Sequence, residues 1–78
     1  MYFPSNLEEQ INLQQRLEYT GTNVTYIGFA PPEAAESDSM WLIKKYVYDG
    51  SDQVIKITLA DSSKAFDKRW DNRAAYAY

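Results

Sequence analysis

One short acidic segment consists of Asp49, Gly50, Ser51 and Asp52, and Asp61 comes further on. Carboxylate and carbonyl oxygens are the ligands that Ca²⁺ takes, so this segment is a candidate cation site. An EF-hand would place a Glu at about the twelfth position of its loop, and none stands there. Asp and Gly are also the residues that tight turns require. We therefore favour turn chemistry over calcium, and we expect no metal and no cofactor.

Aromatic and basic residues are interleaved in a second segment, which contains Trp41, Lys44, Lys45, Tyr46 and Tyr48. Such interleaving is typical of platforms that stack single-stranded nucleic acid. The composition argues against this function, because 8 Lys and Arg stand against 11 Asp and Glu, a net charge of −3. We expect no nucleic-acid partner. Aromatic rings on a β module could instead stack on sugars, and a glycan-binding module of a receptor-binding apparatus stays open as an alternative.

Residues suited to catalysis are scarce. The 78 residues include no histidine and no cysteine, which excludes triads built on either of them. Two carboxylates can hydrolyse a glycoside, but every Asp and Glu lies in a predicted turn, loop or solvated face. We expect no enzymatic activity. The sequence also contains no apolar run of membrane-spanning length, so we expect no membrane partner.

A third cluster, Trp70-Asp71-Asn72-Arg73, lies near the end of the sequence. Arg73 could form an ion pair with Asp71 or Asp67, or stack on Trp70. Either contact would pin a C-terminal corner of the domain, and we favour this structural interpretation over a ligand site.

The elements that would position these residues are mainly β-strands. Residues 16–30 and 40–60 each alternate polar and apolar side chains on both sides of a turn that contains Gly, which predicts two hairpins. Residues 73–78 alternate again and predict a short last strand. The predicted fold is therefore mainly β, a small antiparallel sheet of about five strands. Residues 64–72 would form either about two helical turns or an ordered loop, held by Phe66 and Trp70.

A short helix is predicted ahead of the sheet. Ser5 and Glu8 form a capping box, and Leu7 and Ile11 lie one turn apart on a helix over residues 6–13. We divide the chain into an N-terminal arm and helix, residues 1–14, and a single β domain, residues 15–78. The helix either packs on its own sheet or docks on a neighbour, and both alternatives stay open.

The predicted core and the predicted interface share no residue. The core comprises Leu17, Tyr26, Ile27, Trp41, Ile43, Val47, Ile55, Ile57, Leu59, Phe66 and Trp70. The interface comprises Tyr2, Phe3, Leu7, Ile11 and Phe29. A domain of this size buries little surface, and association with other chains would add stability.

An ordered series of motifs runs through the β domain. It comprises Tyr-Ile-Gly-Phe-Ala-Pro at residues 26–31, Trp-Leu-Ile-Lys-Lys at residues 41–45, Tyr-Asp-Gly at residues 48–50, Ala-Asp at residues 60–61 and Phe-Asp-Lys-Arg-Trp-Asp-Asn-Arg at residues 66–73. Over about residues 16–78 the series resembles a group of short proteins encoded among the virion genes of tailed bacteriophages. Phe29 stands where many of these proteins have a basic residue, and an apolar side chain there could extend a contact surface.

The resemblance implies a structural protein of the virion, which decorates the head or acts as an adaptor in the neck, tail or fibres. It implies other virion proteins as partners and a homo-oligomer or a place in a symmetric assembly. It assigns no catalytic residues. A small regulatory protein of the infected cell is the remaining alternative.

Overall fold

The computed structural model describes residues 13–78, which form an antiparallel meander of four strands. The strands are β1 (Gln14–Thr20), β2 (Asn23–Ala30), β3 (Leu42–Tyr48) and β4 (Val54–Leu59), and each pairs with the next along the chain. Two 3₁₀ turns follow, at Ala60–Ser62 and Trp70–Ala75. The prediction of a mainly β fold with an antiparallel sheet and two hairpins is confirmed.

The chain after β4 differs from its prediction. The predicted strand over residues 73–78 is wrong, because Trp70–Ala75 forms a 3₁₀ turn and residues 76–78 join no strand of the described sheet. Residues 64–69 form a loop rather than helical turns, and residues 70–72 open the 3₁₀ turn. Lys68 in this loop exchanges two backbone hydrogen bonds with Trp41, of 2.8 and 2.9 Å. The predicted helix over residues 6–13 lies, apart from Leu13, outside the described residues.

Side-chain alternation gives the sheet two faces, and residues 60–78 cover one of them. We call this covered side the closed face. The register aligns Gly28 with Ile43 and Tyr26 with Lys45 on it. The core beneath the C-terminal residues consists of Ala30, Ala34, Trp41, Ile43, Ala60 and Trp70.

Gly28 makes the closest approach within this core possible. The Trp41 and Trp70 rings lie 5.8 Å apart between centroids, and Trp70 packs directly over the Gly28 backbone. A Cβ at residue 28 would lie 2.5 Å from Cε3 of Trp70, well inside van der Waals contact. Any residue but glycine at position 28 would therefore push the Trp70 ring off the sheet.

The C-terminal corner is held by Arg73, as predicted. Its guanidinium stacks 4.5 Å from the Trp70 ring centroid and donates a 3.0 Å hydrogen bond to the Trp70 carbonyl. Of the two alternatives considered for Arg73, the stack on Trp70 is the one present, and the ion pair of Arg73 is made with Glu18 on β1 rather than with Asp71 or Asp67. Glu18 lies far away in sequence, and only the folded sheet brings the two side chains together.

The Tyr78 phenol provides a test of this packing at alkaline pH. Its hydroxyl donates a 2.8 Å hydrogen bond to the Arg73 carbonyl. Burial is the main cause that raises the pKa of Tyr78, and the electrostatic interaction with the nearby Tyr26 raises it further. The folded state therefore favours the neutral phenol. Its contribution to stability is complete below the ordinary tyrosine pKa of about 10 and is lost as the pH rises above that value. We expect the melting temperature, followed by circular dichroism, to fall more steeply above about pH 10 in the natural protein than in Tyr78→Phe. Parallel curves would contradict this role of Tyr78.

Candidate functional site

The opposite side of the sheet carries apolar side chains that no described element covers. Alternation and register place on it Leu17, Ile27, Phe29, Leu42, Tyr46, Ile55, Ile57 and Leu59, and we call this set the open face. Its most exposed members lie on the two outer strands: Leu17 at 45%, Ile55 at 64% and Ile57 at 52% of full exposure.

The prediction that Leu17, Ile55, Ile57 and Phe66 belong to the core is therefore wrong. Phe66 is also exposed, at 43%. The strands are apolar on both sides, but residues 60–78 cover one side and reach the other only at Phe66. Ile57 pairs with Tyr46 and so lies on the side opposite Ile43. Trp41, Ile43 and Trp70 are buried as predicted.

A groove of about 400 Å³ lies at the end of the open face where β1 begins and β2 ends. It is lined by Leu13, Gln15, Phe29, Leu42, Lys44 and Phe66. Phe29 is the one predicted interface residue within the described part of the chain, and it lies in this groove. The others, Tyr2, Phe3, Leu7 and Ile11, lie outside the described residues.

Lys44 gives the groove its charge. Its ammonium group lies 5.5 Å from the centroid of the Phe29 ring, a cation–π contact. Within residues 13–78 the ion pairs are made by Arg16, Lys68 and Arg73, and none involves Lys44. The groove therefore offers apolar contact beside one cation, which suits an apolar segment that also carries a carboxylate.

The interleaved aromatic and basic residues of β3 do not form one surface. Trp41 is fully buried, and Lys44 lies in the groove of the open face. Lys45 lies on the closed face, with its ammonium 5.9 Å from the Tyr26 ring and 5.6 Å from the Tyr78 ring. The arrangement lacks the single row of stacking rings and cations that a nucleic-acid platform needs.

The acidic turn is built by its own carboxylates. Asp49 accepts hydrogen bonds from the backbone N–H groups of Ser51 and Gln53, and Asp52 accepts one from the Asn23 amide. Asp52 also adopts a positive φ of 61°, which Asp tolerates in turns. The preferred interpretation as turn chemistry is confirmed. Residues 13–78 contain no group of three or more acidic side chains placed to hold a metal ion.

Sequence reasoning missed most of the groove. Of its lining residues only Phe29 was predicted for an interface. Phe66 was predicted for the core, Lys44 was considered only for nucleic-acid binding, and Leu13, Gln15 and Leu42 were assigned to no site. Leu42 and Lys44 nevertheless share one side of β3, and Leu42 pairs with Phe29. Lys44 among apolar neighbours was the available signal.

Comparisons with known proteins identify no family. The chain matches no protein-family model, no curated protein and no solved structure. Within the described residues, no helix is both long and apolar enough to cross a membrane. The open face and its groove are therefore the features from which a function can be inferred.

Proposed function

We propose that the protein is a non-enzymatic structural component of a bacteriophage particle, held in place by docking of its open face on a neighbouring virion protein. The observation that carries this proposal is the exposure of Leu17, Ile55 and Ile57 on one sheet face, which is apolar apart from Lys44 near its centre and Gln15 at its end. The phage resemblance of residues 16–78 supplies the setting. Head decoration, a neck component and an adaptor of the tail or its fibres all fit this role.

The open face is suited to stable burial against a protein. A contiguous apolar patch on a small domain usually marks an interaction site. Burial of a Leu or Ile side chain contributes about 1.5–3 kcal/mol, and the three residues above are about half exposed, so docking would gain several kcal/mol from them alone. Lys44 beside the groove would select a partner that presents a carboxylate next to its apolar side chains.

β4 is better suited to contact a partner through the open face than to pair with a partner strand at its edge. β4 is an outer strand, and Lys56 stands in its middle. A lysine on an edge strand is a common device against strand-to-strand pairing. The neighbouring Ile55 and Ile57 lie on the open face, where they can contact a partner without new backbone hydrogen bonds.

Ile57→Asp should reduce recovery of the protein in phage particles by about tenfold, because a loss of about 1.4 kcal/mol of docking energy has that effect. Lys56→Gln is the matched control, since it also lowers the net charge by one and changes an exposed β4 residue on the other face. Recovery is measured by quantitative mass spectrometry of density-purified particles relative to the major capsid protein. Circular dichroism checks that both variants fold.

The first test is the recovery of the natural protein in purified particles. Recovery in a fixed ratio to the capsid protein would support a virion role, with hundreds of copies indicating decoration and a small symmetric number indicating the neck, a vertex or the tail. Absence from particles would overturn the proposal. Equal recovery of Ile57→Asp and Lys56→Gln would show that another surface docks.

A further inference from the structure

We propose that β1 pairs with β1 of a second copy of the chain, antiparallel and around a twofold axis at Leu17, so that two four-stranded sheets join into one sheet of eight strands. The pairing concerns the free protein and does not depend on a place in a phage particle. Two observations carry it: β1 is an unprotected edge of the sheet, and its charged side chains are complementary to those of a second β1 in one register.

The two edges of the sheet differ in how they are protected. β4 carries Lys56 near its middle. It also contains a bulge, because the register shifts between Val47 and Tyr48 and leaves Ile55 as an extra residue in this outer strand. A lysine and a bulge are both common devices against the pairing of edge strands.

β1 lacks both of these protections. Its seven residues include no Lys, Pro or Gly. The one shift in its pairing with β2 adds Thr25 to β2, so β1 itself contains no extra residue. Within residues 13–78, β2 is the only strand that pairs with β1, and five of the seven β1 residues are exposed. The outer side of β1 therefore presents a regular row of backbone groups to another strand.

The charges on β1 select one register for this pairing. A twofold axis perpendicular to the sheet pairs side chains of the same side, and an axis at Leu17 uses all seven residues of β1. It places Arg16 of each copy opposite Glu18 of the other, while the two Leu17 side chains meet. An axis at Arg16 or at Glu18 would instead place two like charges opposite each other. Opposite charges in facing positions stabilise a strand pair, whereas like charges destabilise it.

The ion pairs within each chain extend this complementarity. Arg16 pairs with Glu36 at 3.0 Å, and Glu18 pairs with Arg73. The side chains of Arg16 and Glu18 are still 46% and 40% exposed, which leaves room for a further partner. In the dimer the pairs join into two rows of alternating charge, each running from Glu36 and Arg16 of one copy to Glu18 and Arg73 of the other. Because exposed ion pairs contribute little energy, these rows fix the register, and the affinity comes mainly from the backbone hydrogen bonds and the Leu17 contact.

This pairing keeps the open face accessible. Side chains that lie directly opposite each other on paired strands point out of the same side of a sheet. The two open faces therefore become one surface, with the two Leu17 side chains side by side at its centre. A partner that docks there would contact two copies of the face at once.

Single cysteines test the position of the axis, because the natural chain contains no cysteine. Leu17→Cys should form a covalent dimer on mild oxidation, since facing residues have Cα atoms about 4.5–5.5 Å apart, within the range of a disulfide. Tyr19→Cys is the matched control. Tyr19 lies on the same side and is more exposed, at 57% against 45%, but its two copies would be about 14 Å apart. We expect Leu17→Cys to cross-link about tenfold faster or more, measured on non-reducing gels. Equal rates would overturn the proposed axis.

Charge reversal tests the register independently. Arg16→Glu and Glu18→Arg should each place like charges in both facing pairs and raise the dissociation constant of the dimer about tenfold. Mixed in equal amounts, the two variants regain opposite charges in both pairs and should form the mixed dimer. Lys56→Glu makes the same charge change as Arg16→Glu on the other edge strand and should leave dimerisation unchanged. Sedimentation equilibrium measures the dimer against the 9.0 kDa chain.

Three results would contradict the dimer. They are a natural protein that stays monomeric up to about 100 µM, equal weakening by Arg16→Glu and Lys56→Glu, and no recovery on mixing. Circular dichroism checks that each variant folds, and the cysteine pair decides alone if Glu18→Arg fails to fold beside Arg73. Because these measurements use no phage particle, a dimer in a protein absent from particles would remove only the proposed function, and a monomer recovered in particles would remove only this inference.

Discussion

Gly28→Ala is expected to lower the free energy of unfolding by about 3 kcal/mol, the upper part of the range for overpacked cores. The added Cβ would lie 2.5 and 2.8 Å from two ring carbons of Trp70 and 3.0 Å from one of Trp41. Neither indole is free to move, because Trp41 donates to the Ala35 carbonyl and Trp70 is covered by Arg73. In a domain of this size, the melting temperature should fall by about 12–24 °C.

Gly50→Ala is the matched control for this substitution. No atom lies within 4 Å of a Cβ at residue 50, and the glycine does not adopt a positive φ. Alanine there should leave stability unchanged or raise it by up to about 1 kcal/mol, since it restricts the unfolded chain. Thermal unfolding followed by circular dichroism compares the two variants. If Gly28→Ala unfolds at the same temperature as Gly50→Ala, Trp70 does not pack on the sheet as described.

The strands were predictable because each signal is local. Alternation and Gly-containing turns mark both hairpins, and the residues that share a side of β3 or β4 follow from the period of two. Which side becomes the core was not predictable in this way. It depends on the path of residues 60–78, which the Lys68–Trp41 bridge sets across a long stretch of sequence. Ile55 and Ile57 were therefore assigned to the core although they lie on the open face.

The sequence contained a signal for the packing role of Gly28 that was not used in predicting the core. A glycine within a strand often marks the close approach of another group, which here is the Trp70 ring. The motifs on which the proposed phage resemblance rests include Gly28, Trp41, Trp70 and Arg73, which all pack on the closed face. Much of that resemblance therefore concerns how the domain is built. The open face, where docking is proposed, combines residues of those motifs, such as Phe29 and Leu42, with residues outside them, such as Leu17 and Ile57.

Trp70→Ala and Phe66→Ala should differ sharply, although the sequence suggested one shared role for the two rings. Trp70 is 4% exposed between Trp41 and Gly28, so its loss should cost about 3–5 kcal/mol, much of the stability of a domain of this size. Phe66 is 43% exposed at the rim of the groove, and its removal should cost about 1 kcal/mol or less.

Urea unfolding followed by far-ultraviolet circular dichroism measures both variants without depending on tryptophan fluorescence. Phe66→Ala should keep a midpoint close to that of the natural protein and yet be recovered less in particles, because the Phe66 ring lines the docking surface. Trp70→Ala should lose cooperative unfolding or shift its midpoint far lower. Similar destabilisation in both variants would mean that Phe66 supports the core, and its place on the proposed docking surface would then have to be abandoned.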